Sequence, residues 1–201
     1  MNIIFPEERE QQKLNEVFDE VLGERKVSIF IRNFILREED EKKQSHVTCD
    51  LMLRDKAIKI KGTGSGAVNA LYGAIIEKLS KQYKSLNSVR LEDFSLRVKF
   101  KKSRNWNQTD APVEIKIALR SDKNRSNLYF SAEAHSLMVA AISAIRKAIV
   151  FLINSELSVI QLKKDIQSAR RRNRHDLVSI YTLQLSEILH IADYEHLFKN
   201  S

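Results

Sequence analysis

The sequence predicts an α+β chain: duplicated βββα units with antiparallel sheets packed on helices, plus an N-terminal helix and a C-terminal helical pair. Three observations carry this. Apolar residues alternate at period two in six short segments. A helical stretch with an apolar stripe follows the third and the sixth of them. The order strand, strand, strand, helix therefore occurs twice along one chain, as expected of an internal duplication.

The first element is a helix over residues 7–22. Leu14, Val17, Phe18 and Val21 recur at helical spacing, Pro6 stands where a missing N–H does no harm, and Gly23 is a natural stop. Period two then takes over at Val27, Ile29 and Ile31, returns at Val47, Cys49, Leu51 and Leu53, and continues at Ile58 and Ile60, marking three half-buried strands. The charged stretch Glu38–Ser45 reads as a turn. Arg54-Asp55-Lys56 reads as a hairpin connection that pairs the second and third strands antiparallel. The turn Gly62-Thr63-Gly64-Ser65-Gly66 leads into a helix with Val68, Leu71, Ile75 and Leu79 on its stripe, and Ser85–Ser88 closes the unit.

The second unit repeats the order. Phe94, Leu96, Val98 and Phe100 alternate, then Val113, Ile115, Ile117 and Leu119, then a shorter strand at Leu128 and Phe130. A long apolar helix is expected from about Ala132 to Asn154, with Ser131 as its N-cap. Counted from Ile29 to Phe94 the first strands lie 65 residues apart, and from Val47 to Val113 the second strands lie 66 apart. Beyond this, Leu157, Ile160 and Ile166 suggest one helix, and Leu177, Ile180, Leu183, Leu185, Ile188 and Leu189 another, as a hairpin or a continued helical tail. The expected division is an N-terminal helix (1–24), a duplicated regulatory-type domain (25–154) and a helical extension (155–201).

Composition narrows the function classes. Of 201 residues, 43% are hydrophobic and 30% charged, with 5 Gly and 2 Pro, which is globular and leaves little room for structureless chain. The single Cys49 cannot form an internal disulfide, and its place in an alternating apolar run reads as a buried small hydrophobe rather than a nucleophile. No basic start followed by an apolar run marks a signal peptide, and the apolar stretch Ala148–Ile153 is short for a bilayer, so a cytoplasmic protein without a membrane partner is expected. His135, His175, His190 and His196 fall in helical segments and His46 opens a strand. None has metal-ligand spacing, and no catalytic constellation, metal or cofactor is expected. Tyr72 and Tyr83 read as core or interface residues, and Trp106, in the polar loop Lys101–Asp110, either meets a partner or folds back over a sheet edge.

The net charge of +8 raises the prospect of an anionic partner. Acids gather in the first helix, while Lys163, Lys164, Arg170, Arg171, Arg172 and Arg174 make the late segment basic. No aromatics interleave with these arginines, so a solvated helix face is favoured over a nucleic-acid grip.

The glycine-rich turn is the most informative stretch. Glycines at alternate positions permit positive φ and close approach of a ligand, and the N–H groups opening the next helix can bind a carboxylate or phosphate. The spacing G-x-G-x-G is not the dinucleotide fingerprint, and no Lys-Ser or Lys-Thr follows to make a P-loop. A tight strand-to-helix turn without any ligand explains the glycines equally well.

The run from Gly62 through Ala67-Val68-Asn69-Ala70-Leu71 resembles the C-terminal allosteric domain of α-isopropylmalate synthase and citramalate synthase, where the turn commonly reads G-x-G-x-G-P-V-D-A-L. Ala67 replaces the common proline and Asn69 the common aspartate. The resemblance spans roughly residues 25–154, and the leading acidic helix corresponds to the linker that precedes that domain. It implies a homodimer, a branched-chain amino acid or related carboxylate held at Gly62, Gly64, Ser65, Gly66, Ala67 and Asn69, and a separately encoded catalytic partner, because no barrel of eight βα units fits here. The second half departs from the family pattern: Arg125-Ser126-Asn127 precedes Leu128-Tyr129-Phe130, and Ser131 opens the helix where a glycine-containing turn and an acid are usual. Three readings stay open: a ligand-sensing regulatory module of leucine biosynthesis, a structural interaction module that has lost the ligand, and an anion- or nucleic-acid-binding protein using Arg170–Arg174. Self-association is expected on separate grounds. The helix from Leu137 to Ile153 is apolar around much of its girth and needs cover from a second copy or from the C-terminal helices.

Overall fold

The computed structural model describes residues 6–99, 111–122 and 127–198. Helix α1 (Pro6–Leu22) ends where Gly23 takes a left-handed φ of 51° and starts one 3-10 turn. The first unit is β1 (Ile29–Glu39), β2 (Gln44–Leu53), β3 (Lys56–Gly64) and α2 (Ala67–Leu79). A 3-10 turn at Lys84–Ser88 leads to the second: β4 (Val89–Val98), β5 (Val113–Ser121), β6 (Asn127–Ala134) and α3 (Leu137–Arg171). Two further helices follow, α4 (His175–Ile188) and the single turn α5 (Glu195–Phe198). The duplicated α+β architecture is thus as the periodicity predicts.

Each unit contributes one antiparallel sheet with its middle strand central, in the orders β1-β2-β3 and β4-β5-β6. The β2–β3 hairpin turns on Arg54 and Asp55, with Arg54 at φ 53°, the left-handed conformation that tight hairpins need. Both leading strands carry a bulge, between Arg32 and Ile35 in β1 and between Leu91 and Asp93 in β4. One extra residue turns every later side chain to the other face. Ile35, in phase with Ile29 and Ile31 by sequence, therefore lies on the outer face and is 63% exposed, whereas Phe34 and Leu36 join the inner row.

Register corrects the spacing of the repeat. Helices α2 and α3 begin 70 residues apart, at Ala67 and Leu137, and β3 and β6 end 70 apart, at Gly64 and Ala134. Val47 opposite Gly62 matches Ile115 opposite Ala132, and Leu36 opposite Val47 matches Leu96 opposite Ile115. The first strands are thus 60 residues apart and the second strands 68. The spacing of 65 matches Ile29 with Phe94, which lie on opposite sides of the bulge, and the spacing of 66 matches Val47 with Val113, whose register equivalent is Ser45.

Three boundaries also differ from expectation. The third strand of the second unit runs on through Ala134, so Ser131 is a strand residue and Ser136 is the N-cap, accepting from the Val139 N–H. Ser-Ala-Glu-Ala looks like a helix start, but cross-strand pairing with Ile115 and Val113 holds it extended. Helix α3 continues unbroken past Asn154 to Arg171, where two helices are expected, because Asn154, Ser155 and Glu156 find hydrogen-bond partners inside the core. At 35 residues α3 is also long and apolar enough to cross a bilayer, contrary to the reading of Ala148–Ile153 alone.

Its apolar surface is instead the spine of the molecule. Ala140, Ala141, Ala144, Ile145, Ala148 and Leu152 are fully buried within one chain. Sheet β4-β5-β6, helix α1 and strand β1 flank α3, and α4 packs on its later part. Phe151 sits between Phe18 and Phe130 with ring centroids at 5.1 and 5.4 Å. From Ala140 onward the cover that the girth of this helix demands comes largely from its own chain, while Leu137 and Val139 in its first turn stay exposed. Asn154 clamps the backbone of Val27, accepting from its N–H at 2.8 Å and donating to its carbonyl at 2.9 Å. The Glu156 carboxylate accepts from the Ser85 N–H and hydroxyl at 3.0 and 2.5 Å, and the Ser155 hydroxyl bonds Tyr194. One helix thereby ties together the entry to unit one, the linker between units and the C-terminal segment.

Candidate functional site

The predicted site is the passage from β3 into α2. Lys56–Gly64 is a strand because Ile58 and Ile60 alternate inward and Lys59 and Lys61 outward, and it stops where Ser65 and Gly66 turn the chain. The structure brings the predicted residues together in one turn, yet gives the three glycines different roles. None of them has positive φ; among described glycines only Gly23 does. A Cβ on Gly62 would stand 2.4 Å from Ala74 Cβ and 2.6 Å from the Ala70 carbonyl oxygen. One on Gly64 would meet the Ala70 nitrogen at 2.7 Å. These two glycines let β3 lie close against its own helix. Gly66 is extended, at φ −172° and ψ 162°, and faces open space.

The helix start beyond it is open. Gly66 makes no side-chain cap, and the Gly66 carbonyl accepts the first helical bond from Ala70. The N–H groups at the head of α2 carry the partial positive charge of a helix N-terminus. Asn69, exposed, donates to the Ser65 hydroxyl at 3.2 Å, so the two polar side chains of the predicted set brace each other across the turn. Beneath them the inner wall is apolar, with Leu71 and Ile75 buried and Tyr72 donating to the Val89 carbonyl at 3.0 Å. Burial pushes the Tyr72 hydroxyl well above its ordinary pKa, which makes it a structural donor rather than an acid.

The second unit has an equivalent passage, which the sequence alone does not reveal. Ala132, Ala134 and Ser136 take the places of Gly62, Gly64 and Gly66. Only strand register exposes this, since no glycine marks it. Here the helix start is closed by the Ser136 cap at 3.5 Å.

Other singled-out residues fall outside this site. Cys49 is buried in the sheet, where desolvation pushes its thiol pKa up and away from nucleophile chemistry. Arg170–Arg174 forms the tip between α3 and α4. Arg174 pairs with Asp176 at 2.7 Å and Arg172 Nε donates to the Ser168 carbonyl, which explains these two as helix-end residues. His46 bonds Thr63 at 2.9 Å, and His196 reaches Glu156 at 3.3 Å. Trp106 and Arg125 lie outside the described residues.

Two βββα units, with the predicted turn at the helix start of the first and polar networks that tie the elements to α3, define a duplicated α+β module. The model of the LeuA allosteric (dimerisation) domain matches residues 8–153, from α1 through both units, and the chain belongs to that family. This is a regulatory domain rather than a catalytic one. No curated protein matches the chain.

Proposed function

We propose that this chain is a non-catalytic regulatory and dimerisation module that senses a branched-chain amino acid or related small carboxylate at the head of α2. The observation that carries the reading is the contrast between helix starts: α3 is closed by Ser136, whereas α2 begins uncapped beside an open Gly66. A carboxylate on the N–H groups of Ala67, Val68 and Asn69 would complete that helix end, with Ser65 and Asn69 alongside. Membership of that family supports a role in leucine biosynthesis, and a cytoplasmic location and an acyltransferase as the regulated partner belong to the same reading.

The association surface most consistent with the dimerisation family is the inner row of β4. Phe94, Leu96 and Val98 are 38%, 45% and 37% exposed, inside the matched region. The exposed Ile180 and Leu183 of α4 lie beyond it.

A second reading is favoured by the packing of Gly62 and Gly64, which explains two of the three glycines without a ligand: an interaction module that keeps the fold alone. Thermal melting with leucine, isoleucine and valine separates the two. Saturation at about 100 times the dissociation constant adds roughly 2.7 kcal/mol. A wild-type protein whose melting point none of these moves is an interaction module. If one does stabilise it, Gly66→Ala should remove that stabilisation while leaving the unliganded protein intact.

A further inference from the structure

The 70-residue repeat that relates the two helix starts also relates two grooves, each between the free edge of a third strand and the helix that follows. In unit two the groove runs between β6 and α3, past Tyr129, Ser131 and Lys147. In unit one the same positions are Lys59, Lys61 and Glu77, between β3 and α2, joined by Lys78 and Lys81.

The unit-two groove, about 480 Å³, is walled on one side by a third element, and its lysines are engaged from within the chain. Helix α1 lies over it through Gln11, Gln12 and Asn15. Lys147 donates to the Ser131 carbonyl on the strand edge, and Lys26 is paired with Asp19. The unit-one groove, about 320 Å³, has none of this: only β3, α2 and the turn after α2 line it. Lys59, Lys61, Lys78 and Lys81 are all exposed, and no carboxylate lies within ion-pair distance of any of them among the described residues. Asp50, opposite Lys59 in the register, is engaged by Asn33 at 2.7 Å, and Glu77 is the one acid in the lining. Sparse lysines on an edge strand guard against edge-to-edge pairing, and a lysine in the last turn suits the end of α2. Those reasons act residue by residue, and they do not bring four cations from β3, α2 and the turn after it to one groove.

We propose that the β3–α2 groove docks an acidic segment of a partner protein, laid in extended form along the free edge of β3. Backbone groups of the edge strand supply main-chain hydrogen bonds, and the lysines flanking that edge select carboxylates on the docked segment. This surface does not depend on the ligand reading of the α2 head.

The test uses the full chain and a fluorescein-labelled peptide of alternating Glu and Thr, followed by anisotropy. Saturable binding is expected, weakening with added salt and falling at least about tenfold in a Lys59→Ala/Lys61→Ala/Lys78→Ala variant whose melting point matches wild type. The same peptide N-methylated on alternate amides should bind at least about tenfold more weakly. Absence of saturable binding overturns the proposal. So does equal binding of the methylated peptide, which would reduce the groove to a patch of charge. Displacement by equimolar inorganic tripolyphosphate, or loss of binding in Arg170→Ala/Arg171→Ala instead of the lysine variant, overturns it as well.

Discussion

The two βββα units share strand order, register and the bulge in the leading strand, but they differ where the third strand meets its helix. In unit one, glycines at 62 and 64 let α2 lie so close that no Cβ fits between. In unit two, Ala132 and Ala134 occupy those places and Ala132 is buried without conflict. The leading strands differ in the opposite sense. Phe34 and Leu36 of β1 are half-buried and part of the core, with α3 alongside β1, whereas their counterparts Phe94 and Leu96 of β4 stay exposed. Duplication thus fixes the backbone plan, and side-chain volume decides which unit is closed. Unit one is packed tightly with an open helix head. Unit two has a capped helix head and an uncovered apolar row.

Reversing that packing is the harshest way to break the comparison. Gly62→Ala places a methyl group on Ala74 and on the Ala70 carbonyl and should cost about 3 kcal/mol, near the top of the overpacking range. The mirror change, Ala132→Gly, only loosens a strand and should cost about 1 kcal/mol. Urea unfolding of both variants would show whether close approach is confined to unit one; equal losses would mean the two strand–helix contacts are alike.

Association offers the next contrast. Leu96→Glu on β4 should weaken self-association at least about a hundredfold, roughly 2.7 kcal/mol, with little change in monomer stability. Leu36→Glu at the equivalent position of β1 should lower stability by about 2 kcal/mol instead, because that side chain packs against the core. Sedimentation at several concentrations paired with thermal melting distinguishes them, and an unaltered dimer in Leu96→Glu would move the interface elsewhere.

The long helix belongs to both units, and its polar clamp sharpens the point. Asn154→Ala leaves the Val27 N–H and carbonyl without their partner in a buried setting and should cost about 2 kcal/mol. Amide exchange should then quicken around Val27, near the entry to β1, before it does in sheet β4-β5-β6. The smallest effects lie at the helix heads. Ser136→Ala removes a cap and should cost about 1 kcal/mol, whereas Gly66→Ala, extended and facing open space, should change unliganded stability by less than about 0.5 kcal/mol.

Period-two runs at Val47–Leu53 and Val113–Leu119, the hairpin at Arg54-Asp55 and the stop at Gly23 were legible in sequence, since each rests on local backbone preference or on a pattern a few residues long. So was the run Gly62–Leu71 as the distinctive segment of the chain. What Gly62 and Gly64 are for was not legible. A glycine required by positive φ and one required by a neighbouring helix look the same in a sequence, and only the distance to Ala70 and Ala74 tells them apart. Ser131 was misplaced for a related reason. Ser-Ala-Glu-Ala has good helix-start propensity, and cross-strand hydrogen bonding to β5, a contact with residues far along the chain, overrides it. The face of Ile35 and the true repeat spacing depended on a bulge, which adds a residue without altering composition. The sequence by itself therefore determined the element types, their order and the antiparallel pairing. Tertiary packing decided which glycines are structural, which leading strand is covered and where α3 finds its partners, because these depend on volumes and hydrogen bonds between residues distant in the chain.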